Sequence, residues 1–180
     1  DTDRSRGLGD VYKRQEWLGS DAKIIRTMPN TPALVGEAMS GVCPNKNVSE
    51  EELKFALDMF SSFGECVELA EKDFHAFTGL CGSSPAYVFM FIEAMADGAV
   101  KMGIPRAKAY KMAAQSVLGS AKMVLDTGKH PGELKDMVCS PAGTTIEAVE
   151  VLESLGFRNA AMQAVIKCSE KSQNLSLIHI

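Results

Sequence analysis

Apolar and polar positions along this chain change their period once. Over the first third, short apolar runs alternate with turn residues. Residues 23–27 (KIIRT) are apolar and β-branched between polar flanks, the pattern of a buried strand. Met28-Pro29-Asn30-Thr31-Pro32 interrupts it with two prolines, which predicts a loop at a strand end. Residues 39–43 predict a second strand and residues 66–69 a third. Between them, Ser49 and Glu52 have the spacing of a capping box and predict a helix to about Ser62. Gly64 then suits the left-handed residue that ends a helix. Strand, loop, strand, helix and strand are the tail end of an α/β domain.

After Glu71 the strand pattern stops. Residues 84–102 (SPAYVFMFIEAMADGAVKM) are apolar on most faces, which predicts a helix buried on most sides. Asp97 within it predicts a buried, hydrogen-bonded carboxylate. Gly103 ends the helix, and Pro105 suits the first turn of the next, over 105–126, which Gly128 stops. Shorter helices are predicted at 131–138 and 144–154, the latter closed by Gly156, and a last one at 159–172. So few residues cannot wrap the apolar stretch 87–100 on every side, so packing against another chain is expected.

Composition narrows the function. The net charge of −4 and the lack of a Lys/Arg run argue against a nucleic-acid partner. No apolar run reaches the length of a membrane span, and no basic-then-apolar leader signals export. Cys43, Cys66, Cys81, Cys139 and Cys168 are widely spaced without a C-x-x-C pair. That argues against a zinc site or disulfide framework and fits a cytoplasmic protein. No His, Cys, Asp or Glu cluster has metal-ligand spacing. Residues 1–15 (DTDRSRGLGDVYKRQ) and 174–180 (NLSLIHI) resemble read-through tails of assembled environmental sequences, and neither is expected to belong to the fold. Gly7-Leu8-Gly9 lacks the preceding strand and third glycine of a dinucleotide fingerprint.

Three loops have chemistry. Cys139-Ser140-Pro141-Ala142-Gly143-Thr144-Thr145 stands directly before a helix. Small residues leave its backbone bare, and the first-turn amides of Thr144 and Thr145 lack partners within the helix. With the helix dipole they suit a small anion such as a carboxylate, and Ser140 and Thr145 add hydroxyls. A capped helix start without a ligand has the same spacing. Leu80-Cys81-Gly82-Ser83-Ser84-Pro85 reads as the chemistry of a helix start. Met28 to Pro32 follows a strand, where open α/β sheets bind ligands.

Together and in order, Met28-Pro29-Asn30-Thr31-Pro32-Ala33, Thr78 through Tyr87, Ala96 through Gly103, His130-Pro131-Gly132-Glu133-Leu134-Lys135-Asp136 and Ser140-Pro141-Ala142-Gly143-Thr144-Thr145 resemble the pyrroline-5-carboxylate reductase family over residues 16–172. The resemblance implies the end of a dinucleotide-binding Rossmann domain at 16–71. It implies an all-α substrate-binding and dimerisation domain at 72–173, like the C-terminal domain of 6-phosphogluconate dehydrogenase. The implied activity is NADPH- or NADH-dependent reduction of 1-pyrroline-5-carboxylate to L-proline by a homodimer or higher homo-oligomer. By position, Ser140, Gly143, Thr144 and Thr145 would bind the substrate, with the Thr145 hydroxyl facing the imine nitrogen as the catalytic group. Met28, Pro29, Asn30, Thr31 and Pro32 would border the cofactor, and no metal is implied.

The chain departs from the family pattern in places. Ala142 stands where Gly is usual, Cys81 where Ser is usual and Ser84 where Gly is usual. Met137 occupies a position where some members carry a polar residue. The glycine-rich phosphate loop lies outside the matching region, so these residues alone are expected to show little activity. Two other functions fit parts of the pattern. One is an inactive helical oligomerisation fragment. The other is a β-hydroxyacid-type dehydrogenase, whose central-helix lysine would be Lys101.

Overall fold

A computed structural model describes residues 18–178, and it has the expected order of a small α/β part followed by helices. The expected tail at 1–15 and His179 lie outside the described residues. The strands are β1 (Ile25–Met28), β2 (Ala38–Pro44) and β3 (Gly64–Glu68). The helices are α1 (Glu50–Ser61), α2 (Phe74–Phe77), α3 (Ser84–Lys101), α4 (Arg106–Thr127), α5 (Pro131–Val138), α6 (Thr144–Ser154) and α7 (Phe157–Ile178).

Two compact units divide the chain. The first holds the described residues up to Pro85 together with the stretch from Met162 on, and the second is Ala86–Ala161. In the first unit β2 is the central strand. It pairs antiparallel with β1, Met28 opposite Gly41, and parallel with β3, Ala38 opposite Gly64. Ile24, Cys43 and Phe74 form its core, with Met28 and Leu69 packed against them. Arg26 points from β1 to Glu71, forms an ion pair with it and lies 4.4 Å over the Phe74 ring. The predicted capping box is complete: Glu52 N–H donates to Ser49 Oγ at 3.3 Å, and Ser49 N–H donates to Glu52 Oε2 at 2.9 Å. Lys23 and Ser49 hold the Glu52 carboxyl down at about 2.

Some elements depart from the sequence expectation. Gly64 does not cap α1. It opens β3 at φ +149, where a Cβ would come within 2.7 Å of Ala38 Cα, so the close approach of β2 rather than the helix end requires glycine. Residues 80–82, expected as part of a loop, belong to a π-helical turn (Thr78–Gly82) closed by Ser83 N–H to the Thr78 carbonyl at 2.9 Å. Pro105 sits one residue before α4 rather than in its first turn. The last helix runs from Phe157 to Ile178, past its expected end at Ser172, with no glycine or proline to break it.

Gly79 in the π turn meets α7 backbone to backbone. A Cβ there would approach the Val165 carbonyl to 2.5 Å and the Ser169 amide to 3.3 Å. Because backbone cannot swing aside, Gly79→Ala is expected to cost about 1–3 kcal/mol. A lowered urea midpoint measures this, and an unchanged midpoint would mean that α7 does not press on the turn.

In the second unit α3 and α4 meet through alanines. Ala96, Ala109 and Ala113 are buried, with Ile92, Val100 and Ile104 around them. Asp97 is not the buried carboxylate expected from its apolar neighbours. Its side chain is 57% exposed and pairs with Arg106, the first residue of α4. Large apolar side chains of α3 stay open: Phe89 is 59% and Met90 69% exposed. Small residues therefore fill the contact within the unit, while the large ones face outward.

Candidate functional site

The expected site residues fall in two groups, one in each compact unit. The second unit holds Ser140, Gly143, Thr144 and Thr145. Ser140 to Gly143 form a four-residue turn between α5 and α6, closed by Gly143 N–H to the Ser140 carbonyl at 3.0 Å. Pro141 and left-handed Ala142 (φ +56) give this the pattern of a type II turn. Such a turn prefers glycine at its third position. Gly143 precedes α6 in extended conformation and supplies no side chain to cap it. The helix therefore starts with bare amides at Thr144 and Thr145, at the positive end of its dipole. A Cβ on Gly143 would collide with Ser140 Oγ and stand 3.1 Å from the Ser140 carbonyl. Ser140 is thus folded over the backbone leading into α6. Ser140 and Thr144 are exposed, and Thr145 is half-buried. Near the end of α5, Lys135 pairs with Asp136, which raises the ammonium pKa while the two charges offset each other.

The left-handed backbone costs alanine about 1–2 kcal/mol, while the freedom glycine gains when unfolded offsets about 0.4–1 kcal/mol. Ala142→Gly is accordingly expected to stabilise the fold by up to about 1.5 kcal/mol. The check is a higher urea midpoint at unchanged slope. A lower midpoint would mean that Ala142 is unstrained.

The first unit holds the other group. Met28 ends β1, and Pro29 and Thr31 lie exposed on the loop that follows. Thr31–Val35 then form a 3-10 turn with Pro32 near its start. Asn30 is half-buried. Its Nδ2 donates to the Cys81 carbonyl at 3.0 Å, and its Oδ1 accepts from Met39 N–H at 3.0 Å. Thr78 Oγ1 donates to the Phe74 carbonyl at 2.7 Å and lies 3.4 Å from Met28 Sδ. The first two loops singled out in the sequence, 28–32 and 80–85, thus touch. Burial pushes the Cys81 thiol pKa up, which disfavours the thiolate.

Beside this contact lies a cavity of about 550 Å³, lined by Arg26, Met28, Thr78, Ser83, Lys171 and Ser172 among others. Arg26, Glu71 and Lys171 were not singled out in the sequence. One signal was legible, a lone arginine inside the apolar run 23–27. Its acidic partner is 45 positions away, too far for any local pattern.

Residues 71–175 match the family described as pyrroline-5-carboxylate reductase dimerisation. The pyrroline-5-carboxylate reductase of Escherichia coli (strain K12) is 64% identical over 159 residues, which are 88% of this chain and 59% of that protein. That of Methanosarcina acetivorans is 56% identical over 161 residues, 89% of this chain and 60% of the relative. Among solved structures, the Plasmodium falciparum pyrroline carboxylate reductase with NADP bound superposes with a TM-score of 0.87 at 39% identity. That match covers 94% of this chain and 68% of the other. The chain therefore spans somewhat under two thirds of the curated relatives it matches.

Proposed function

The chain belongs to the pyrroline-5-carboxylate reductase family, and we propose on that basis that it is the substrate-binding and dimer-forming part of an enzyme reducing 1-pyrroline-5-carboxylate to L-proline with NADPH or NADH. The observation that carries this reading is the Ser140–Gly143 turn, which leads directly into the uncapped start of α6. Bare amides, a helix dipole and neighbouring hydroxyls suit a small cyclic carboxylate. Thr144 and Thr145 hold the carboxylate through backbone N–H groups, and Ser140 adds its hydroxyl. The Thr145 hydroxyl faces the imine nitrogen, where it holds the ring or relays a proton. No residue of this loop is a strong general acid, so the imine proton has two sources, Thr145 as relay or bulk water. Fixing the carboxylate orients the ring and lowers the entropic part of the barrier.

A bound dihydronicotinamide supplies the hydride. Met28, Pro29, Asn30, Thr31 and Pro32 border it. Fitting that role, the loop leaves a strand end and exposes Pro29 and Thr31. Residues 16–71 close the dinucleotide-binding domain, and 72–173 form the helical domain. The open apolar side chains of α3 pack against a second copy of the chain. The free cysteines suit a cytoplasmic protein, and no described helix is long and apolar enough to cross a membrane.

The test is a full-length hybrid, in which residues 16–173 are joined to the part of the E. coli relative that they do not match. Cofactor-dependent turnover of 1-pyrroline-5-carboxylate with L-proline as product is the expected result. The 180-residue chain alone should show little turnover. β-Hydroxy acids should not be oxidised, because Lys101, the lysine such chemistry would need, ends α3 outside any ligand loop. A folded hybrid that binds NADPH but leaves the imine unreduced would overturn the reading.

A further inference from the structure

We propose that Asn30 is a positioning residue rather than a cofactor contact: its side chain buckles the cofactor loop to the π turn and sets where that loop stands. This rests on the reading that loop 28–32 borders the nicotinamide cofactor. The primary amide has one donor end and one acceptor end, and the fold uses both. Nδ2 donates to the Cys81 carbonyl at 3.0 Å, inside the π turn, and Oδ1 accepts from Met39 N–H at 3.0 Å, in β2. A carbonyl only accepts and an N–H only donates, so the two partners fix the amide's orientation.

The cofactor loop, β2 and the π turn 51 positions away thus meet at one half-buried side chain. Neighbouring contacts brace the same place. Thr78 Oγ1 lies 3.4 Å from Met28 Sδ and ties back to the Phe74 carbonyl. A Cβ on Gly82 would stand 3.6 Å from Met28 Sδ, an ordinary packing distance. Opposite the loop, α7 presses on the turn at Gly79, and Cys168 Sγ donates to Ser83 Oγ at 3.1 Å. The π turn is consequently held from two sides, and Asn30 transfers its position to the loop. π-helical turns recur where function needs a displaced backbone. Here the displaced backbone includes the Cys81 carbonyl, which accepts from Asn30. Exposed Pro29 and Thr31, with no such duties, remain for direct contact with the cofactor.

Asn30→Asp in the full-length hybrid separates the two roles. It keeps shape and the acceptor for Met39 N–H but turns the donor toward Cys81 into a second acceptor. Misplacing a reacting group by about 1 Å is worth up to about 100-fold in rate. The expected result is a 10- to 100-fold lower kcat at saturating cofactor, with the NADPH dissociation constant, read by fluorescence, changed less than about threefold. Hydrogen exchange at the Ser83 amide should speed up, while that at Met39 should hardly change. Asn30→Ala should speed both. The double variant Asn30→Ala with Thr78→Val should lose less kcat than the two single losses multiplied, since both groups brace one loop. An NADPH constant raised tenfold at unchanged kcat would make Asn30 a direct contact and overturn the proposal. So would unchanged exchange at Ser83. Thr31→Trp tests the underlying reading by itself: it should weaken NADPH binding strongly, and no effect there would remove the cofactor role of the loop.

Discussion

Phe89→Glu should raise the dimer dissociation constant of this protein by roughly 10⁴-fold. Helix α3 leaves Phe89 and Met90 more than half exposed while alanines fill its contact with α4. An apolar patch of this kind on a soluble protein marks an interaction surface. Removing one partner of a buried pair, and so leaving one charge uncompensated, costs about 3–5 kcal/mol. A two-fold axis would place the new carboxylate in the interface twice, so even the lower figure gives roughly four powers of ten. Sedimentation at micromolar concentration should show a dimer or larger assembly for the parent protein and monomers for the variant. Near-native helical content in the variant would show that assembly, rather than folding, had been lost. A variant that sediments like the parent would place Phe89 outside the interface. A parent that is a stable monomer would remove the proposed assembly altogether.

Thr145→Val should lower kcat/KM of the full-length hybrid by roughly 2- to 100-fold. Valine keeps the shape of threonine and deletes the hydroxyl. One neutral hydrogen bond is worth about 0.5–1.5 kcal/mol, more toward a charged iminium, and about 1.4 kcal/mol is tenfold in rate. The division between parameters gives the role. A fall in kcat at constant KM means that the contact strengthens as the nitrogen gains charge, whereas a rise in KM alone means simple binding. Ser140→Ala combined with Thr145→Val should be non-additive if both hold the same molecule, for the turn brings Ser140 over the backbone that leads into α6. An unchanged kcat/KM with unchanged stability would reduce the loop to an ordinary helix start.

What the sequence showed and what it hid divide by distance along the chain. The capping box at Ser49 and Glu52, the left-handed glycines at Gly103, Gly128 and Gly156 and the span of α5 depend on near neighbours and were legible. The turn and helix start at Ser140, Gly143, Thr144 and Thr145 were legible for the same reason, since these residues are consecutive or nearly so. The roles of those residues came from resemblance, not from spacing. Gly64 was misread because its reason is β2, brought alongside by the sheet. The π turn was missed because its partners are distant: Asn30 lies 51 positions from Cys81, and α7 further still from Gly79. Asp97 was expected inside because its neighbours are apolar, but its long-armed partner Arg106 draws it to the surface. For Gly64 and the π turn, a contact between distant segments outweighed a local preference; for Asp97, a partner across a helix–helix turn did so.

Ala142 has a consequence in stereochemistry. A backbone at φ +56 is strained for an L-residue because of its handedness. For the mirror-image residue, D-alanine, the same dihedral lies in the favoured helical well. D-alanine at this position would relieve the strain as glycine does, yet keep the unfolded chain stiffer than glycine allows, so it should hold the turn more firmly than either. The sequence makes such a molecule accessible. Cys139 stands immediately before the turn, at the junction where a synthetic peptide beginning with cysteine is joined to a thioester made from the preceding residues. The handedness of one α-carbon could then be inverted without changing the chemical composition of the protein, and the shape of the turn before α6 studied apart from its side chains.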